Sequence, residues 1–387
     1  MGIIKKSSYK LNLFLLTIGV ILVLYAYNDV TTNAQAGNIG LDRSSVYILV
    51  LSLLFVISVN AFKNFSISFF KLPFVRPLSF LTLWLFTSNL LNDNFDRGTQ
   101  LHLMLSVLWI FTYYDIYIHG MKYKRYNSIA LLFSCMMLVY FVVNLYAQSN
   151  ITSQLGRDFG MTSYAYYLLA IMPFVILIPN KLISRIIFIS ACLLVIVSLK
   201  RGPIITLGLM LISYYVVSNM IGTKLISFKT LLFLVVFLGV ACYYINDYTD
   251  GFLAYRFSSD EMLGASGRDE MWRQVINTIE NRSVFSSLIG FGSGASIKLL
   301  GTGVHNEWLE FLLSFGLIGV CLYFTLLLSF IDRVRKLIKI KSPLAPLYSM
   351  IICFFIFSGM SDGFYFVYWT FYFFASIGLL EALIAEN

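Results

Sequence analysis

Residues 306–330 read NEWLEFLLSFGLIGVCLYFTLLLSF, an opening turn with two glutamates followed by twenty residues without a charge. As a helix, about twenty residues span roughly 30 Å, the thickness of a bilayer's hydrocarbon core. Working outward from this stretch, comparable apolar runs recur at 11–27, 46–62, 72–91, 100–118, 127–146, 161–179, 182–199, 203–221, 227–245, 344–360 and 363–382. Short segments with Lys, Arg, Asn or Gly separate them. The whole chain is 59% hydrophobic and 12% charged, too apolar to give a soluble domain a solvated surface. The expected fold is therefore all-α, a polytopic integral membrane protein of about twelve transmembrane helices with one long extramembrane loop. Its organisation reads as an N-terminal membrane bundle over 1–245, a loop over 246–304, and C-terminal membrane helices over 305–387.

The net charge of +9 is an orientation signal. With the N-terminus cytoplasmic, the tail and alternate loops collect about +14 on the inside and leave about −5 outside, which is the positive-inside pattern. Both termini are then cytoplasmic, and no nucleic-acid footprint is needed to explain the basicity. Residues 1–27 carry a basic start and an apolar run, with Ala34-Gln35-Ala36 beyond them, so a signal peptide has to be weighed. The run is long for a signal peptide and Ala34 lies well past its end, which favours a first span. All five cysteines fall inside predicted spans, so no disulfide framework is indicated. With three histidines and few clustered outer carboxylates, a metal centre would be hard to build, and neither metal nor cofactor is expected. The spans carry no acid or base near mid-bilayer of the kind a coupled carrier uses.

Positive charge retained outside, against the orientation rule, marks the candidate site. Ser198-Leu199-Lys200-Arg201-Gly202-Pro203 joins two spans with almost no loop. Pro203 suits the start of the second span, whose unpaired N–H groups then sit beside Arg201, a place for phosphate oxygens; snorkelling to lipid headgroups is the plainer alternative. In the long loop, Ser266 and Asp269 read as a capping box. Trp272, Val275, Ile276 and Ile279 follow at helical spacing, predicting an amphipathic helix near 267–281 lying on the membrane face of the protein. Arg268 falls in its first turn, where a cation opposes the helix dipole unless an anion is shared between them. Five glycines at 290, 292, 294, 301 and 303 imply tight turns or a flexible lid. His305, with Asn306, Glu307 and Glu310, stands at the outer mouth of the 306–330 helix, where solvent and substrate reach it.

At these residues the chain resembles the O-antigen polymerase and ligase superfamily of bacterial glycan assembly. The resemblance covers roughly 150–330: Arg201-Gly202, Gly267-Arg268 followed by Trp272, His305-Asn306 with Leu309 and Gly316 through Gly319, and Arg157 as a further basic position. Lys200 stands where a serine is usual. The resemblance implies a glycosyl transferase of the bacterial inner membrane, its active site periplasmic. Its donor and acceptor would be undecaprenyl-diphosphate-linked oligosaccharides; it would be metal-independent and inverting, and a separate chain-length regulator protein is a possible partner. Arg201 and Arg268 would stabilise the leaving diphosphate, and His305 would handle the acceptor hydroxyl. Lys200, Arg157, Trp272, Asn306 and Glu307 would bind substrate. A polymerase is favoured over a ligase that delivers glycan to lipid A core, and a lipid-linked-oligosaccharide flippase is the alternative from another class.

Overall fold

A computed structural model describes residues 48–386 apart from 50, 54, 58, 60–66, 95, 124–125, 155–163, 224–227, 259–267, 302, 362–364 and 366–368. All regular structure among the described residues is helical. A 3₁₀ turn at Ile67–Lys71 precedes α1 (Val75–Leu91), α2 (Arg97–Tyr123), α3 (Tyr126–Gln154), α4 (Ala165–Leu177), α5 (Lys181–Val197), α6 (Arg201–Met220) and α7 (Phe228–Tyr248). Four short helices follow: α8 (Phe252–Arg256), α9 (Arg268–Glu280), α10 (Val284–Ile289) and α11 (Ala295–Leu300). The chain then re-enters the bundle with α12 (Glu307–Lys339), α13 (Ala345–Ser361) and α14 (Trp369–Glu386).

These bounds follow the apolar runs closely, because the same lack of charge that suits lipid also favours uninterrupted backbone pairing. Among the described residues, five stretches are long and apolar enough to cross a membrane: Gly98–Met121, Tyr126–Tyr146, Arg201–Met220, Glu307–Lys339 and Trp369–Glu386. α4 and α13 are shorter apolar helices. The run at 46–62 is helical at each described position from 48 to 59, and the run at 11–27 lies outside the described residues. The protein is thus an all-helical membrane protein.

Two features depart from the sequence reading. α12 is longer than the bilayer needs, and its helical geometry is broken at Gly316, whose φ is 65° and ψ −167°. That conformation is open to glycine and essentially closed to other residues. The apolar stripe of α9 is also not turned to the membrane face as expected. Trp272, Val275 and Ile279 pack with Ala295, Val304 and Leu313, so these three close on α11, the 304 turn and α12, while Ile276 stays exposed. The capping box that Ser266 would form lies outside the described residues.

The end of the bundle opposite the 246–304 loop is locked by a buried ion pair. Arg333 Nε and Nη2 donate to the two Glu381 carboxylate oxygens at 2.8 and 2.5 Å, and the Tyr348 hydroxyl donates to the same carboxylate. Between the ends lies an aromatic core in which Phe311 stacks on Tyr323 at 4.3 Å and Trp109 donates its indole N–H to the Tyr365 carbonyl at 2.7 Å.

Candidate functional site

The short turn between α5 and α6 is shaped by burial. Leu199 adopts φ 54°, a left-handed conformation that costs a non-glycine residue about 1–2 kcal/mol. Its side chain is buried with Ile196 and Leu253, which offsets that cost. Ser198 Oγ donates to the Val195 carbonyl at 2.6 Å and accepts the Lys200 N–H at 3.4 Å. Lys200 is then the extended N-cap of α6, without a side-chain cap, and Arg201 is its first residue. The serine that caps this turn is therefore two positions ahead of Lys200.

Gly202 is required for a different reason than the turn. It is helical, and a Cβ there would collide with the Tyr166 hydroxyl and stand 3.1 Å from the Ser361 side chain. This close approach brings three helix ends together: the start of α4, the start of α6 and the last residue of α13. Tyr166 and Ser361 share a hydrogen bond between their hydroxyls at 2.5 Å, and Lys200 Nζ lies 5.9 Å from the centre of the Tyr166 ring. Arg268, the first residue of α9, donates from Nη1 to the Ser361 carbonyl at 2.7 Å. The basic turn at 200–201 and the loop's Arg268 thus meet at the same Tyr166–Ser361 corner.

One turn along α9, about 6 Å further up its axis, Trp272 donates its indole N–H to the Val304 carbonyl at 3.0 Å. Val304 is buried and its neighbour His305 is exposed, with φ 50°. Asn306 accepts the N–H groups of Trp308 and Leu309 at 3.1 and 3.2 Å, which starts α12 as an asparagine N-cap does. His305 is therefore displayed between a buried valine and a capped helix end, on a backbone tied to α9.

The structure brings Arg268 and Lys200 to one corner, with Arg201 in the backbone between Lys200 and Gly202, and Trp272 links that corner to the turn bearing His305 and Asn306. Glu307 is placed differently from the sequence expectation of a substrate-binding group. It is buried, and its Oε1 accepts the Tyr365 N–H at 2.9 Å, so the carboxylate anchors the α13–α14 connection. Arg157 lies outside the described residues. Sequence reasoning missed Tyr166 and Ser361. Their signals were faint: a Tyr-Ala-Tyr-Tyr run opening one span, and a Ser-Asp-Gly break between the last two.

The far side of the loop is held by a second polar cluster. Ser293 donates its backbone N–H to Asn89 Oδ1 at 2.8 Å, and Asn94 Nδ2 donates to the Ser293 carbonyl at 2.9 Å. Lys298 pairs with Asp96 at 2.8 Å and donates to Asn94 as well. Partial burial pushes the Asp96 carboxyl up, but the hydrogen bonds from Lys298 and Thr99 outweigh it and bring its pKa down to about 2.

No family model matches this chain, and no curated protein matches it.

Proposed function

We propose that this chain is a glycosyl transferase of bacterial surface-glycan assembly, acting as an O-antigen polymerase. It would move an undecaprenyl-diphosphate-linked glycan onto the non-reducing end of a lipid-linked repeat unit, at the periplasmic face of an inner-membrane protein of about twelve spans. The observation that carries this reading is the meeting of Arg268 with the Lys200–Arg201 turn at the Ser361 corner, one helical turn from the backbone that displays His305.

The chemistry asks for these groups. An acceptor hydroxyl oxygen attacks the anomeric carbon, and the bond from that carbon to the diphosphate oxygen breaks. Negative charge then grows on the lipid-borne diphosphate, where guanidinium groups already held in place stabilise it without reorganising. Arg268 is suited to this because it donates to the Ser361 carbonyl, which leaves its charge undiminished. The hydroxyl proton passes to His305, whose exposed ring is open to the acceptor side. Trp272 and Asn306 fix the two backbone segments flanking His305, and so position it.

The test is a gel of lipopolysaccharide from a deletion strain complemented with wild type, Arg268→Ala or His305→Ala. Core carrying a single repeat unit in the deletion, extended to a ladder by wild type and by neither variant, is the expected result. Bare core with long lipid-linked glycan accumulating would make the protein the ligase. A normal ladder in every strain would overturn the O-antigen assignment.

A further inference from the structure

Short extramembrane helices normally turn their apolar residues inward, and α10 does the reverse. Val284, Phe285 and Leu288 are 79%, 60% and 42% exposed, in a helix of six residues. In water such a patch is costly, at about 25 cal/mol for each Å² left uncovered. α10 is tied to α1 and α12 at a definite depth along both helices. Just past these residues, the Ile289 carbonyl accepts a hydrogen bond from Ser88 Oγ at 2.7 Å. Ser88 lies four residues before Asn92, the polar residue that closes α1, and so about 6 Å below that end of the helix.

The α12 side gives the same depth independently. Phe291 and Gly292 donate their N–H groups to the carbonyls of Leu313 and Ser314 at 3.0 and 2.8 Å. Ser314 lies four residues past Glu310, again about 6 Å inside the polar start of its helix. From Glu310 to Asp332 the helix is uncharged over a length of about 30 Å, which matches the hydrocarbon core.

Non-helical backbone at such a depth is tolerated only where protein satisfies it. Here the break in α12 and the loop satisfy each other. The Leu312 carbonyl takes Arg282 Nη1 at 2.9 Å, Leu313 and Ser314 take the loop N–H groups, and the Phe315 carbonyl takes Trp84 Nε1 at 3.0 Å. Gly290 and Gly316 make the approach possible, since a Cβ on either would collide with the backbone of the other segment. Phe86, Leu90 and Leu91 of α1, the helix whose Ser88 holds the Ile289 carbonyl, are exposed as well.

We infer that residues 282–292 form a re-entrant element, and that Val284, Phe285 and Leu288 insert into the acyl region of the adjoining leaflet. The lipid bilayer is the occupant of this face. Arg282, half-buried and bonded to the Leu312 carbonyl and the Ser287 hydroxyl, sits where the chain turns in. The loop is therefore an anchored floor at this end of the bundle, and the membrane contact predicted for the amphipathic helix near 267–281 belongs to α10.

The experiment uses full-length protein in nanodiscs of phosphatidylethanolamine and phosphatidylglycerol. In a cysteine-free background, a nitroxide is placed by Val284→Cys, Phe285→Cys or Leu288→Cys, with Asn277→Cys and Glu280→Cys on the exposed side of α9 as references. Oxygen accessibility is expected to exceed that to a water-soluble nickel chelate several-fold at the three α10 sites, and the reverse at the two references. Nickel-dominated accessibility at all five would overturn the inference. As a second measurement on the unsubstituted chain, lipids with a diazirine on the acyl tail should label the peptide carrying 284–288. Labelling confined to the long helices would overturn it too. Neither readout depends on transferase activity, so failure here and failure of the glycan assay are separate results.

Discussion

Arg333 and Arg268, at opposite ends of the helical bundle, are held in opposite ways. At the closed end, Arg333 is neutralised by both oxygens of Glu381, and Tyr348 adds a third bond to the same carboxylate. At the loop end, Arg268 and Arg282 donate to backbone carbonyls, of Ser361 and Leu312. A carbonyl orients a guanidinium and leaves its positive charge available, whereas a carboxylate cancels it. The difference separates a cation that holds helices together from one that still offers charge to an anion.

Breaking the closed end should have the largest effect. Glu381→Ala leaves a half-buried Arg333 without its carboxylate, and thermal unfolding in detergent should report a loss of about 3–5 kcal/mol. Arg268→Ala should sharpen the contrast in the other direction. Stability should change by about 1–2 kcal/mol, since one guanidinium bond to a carbonyl is lost. Transfer to lipid-linked repeat units in a purified assay should fall about 10²- to 10³-fold, or roughly 3 kcal/mol in the barrier. Equal damage to stability from both substitutions would erase the distinction between the two ends.

Gly316→Ala probes how the loop end is built. Only glycine tolerates its backbone angles, and the expected cost is about 1–3 kcal/mol from strain, with further loss if Gly290 is forced away. Trp272→Phe removes the single bond to Val304 while keeping the ring in its apolar cluster. It should cost about 1 kcal/mol in stability and lower turnover by loosening the His305 turn, without altering donor binding. The smallest effect concerns acid. The Asp96 carboxyl is depressed in the folded protein, so its contribution is complete above the ordinary carboxylate range and is lost as pH falls from about 4 towards 2. Unfolding measured across that window should lose part of its pH slope in Lys298→Met.

The long helices were readable in the sequence because each carries an apolar run with few charges, bounded by polar residues, and α9 was readable from the spacing of Trp272, Val275 and Ile279. Arg201, Arg268 and His305 stood out because a cation or imidazole beside an apolar helix end needs a reason. What could not be read depends on contacts distant in sequence. Ser361 is one serine among many until α13 is seen ending against Gly202. Glu307 looked like a substrate-binding group because it stands two residues from His305, yet the start of α12 turns it inward to the Tyr365 N–H. Gly316 gave no local sign of a break, since the carbonyls it frees are taken up by Arg282, Phe291, Gly292 and Trp84 from elsewhere in the chain.

That break also isolates His305 mechanically. A continuous helix passes bending and rotation along its whole length, because every turn is bonded to the next. In α12 the bonds that would cross Gly316 run sideways instead, to α1 and to the re-entrant loop. Residues 307–315 are thereby clamped as a separate rigid peg. The backbone that carries His305 is therefore held by α1 and the loop and does not rest on helical bonds through Gly316.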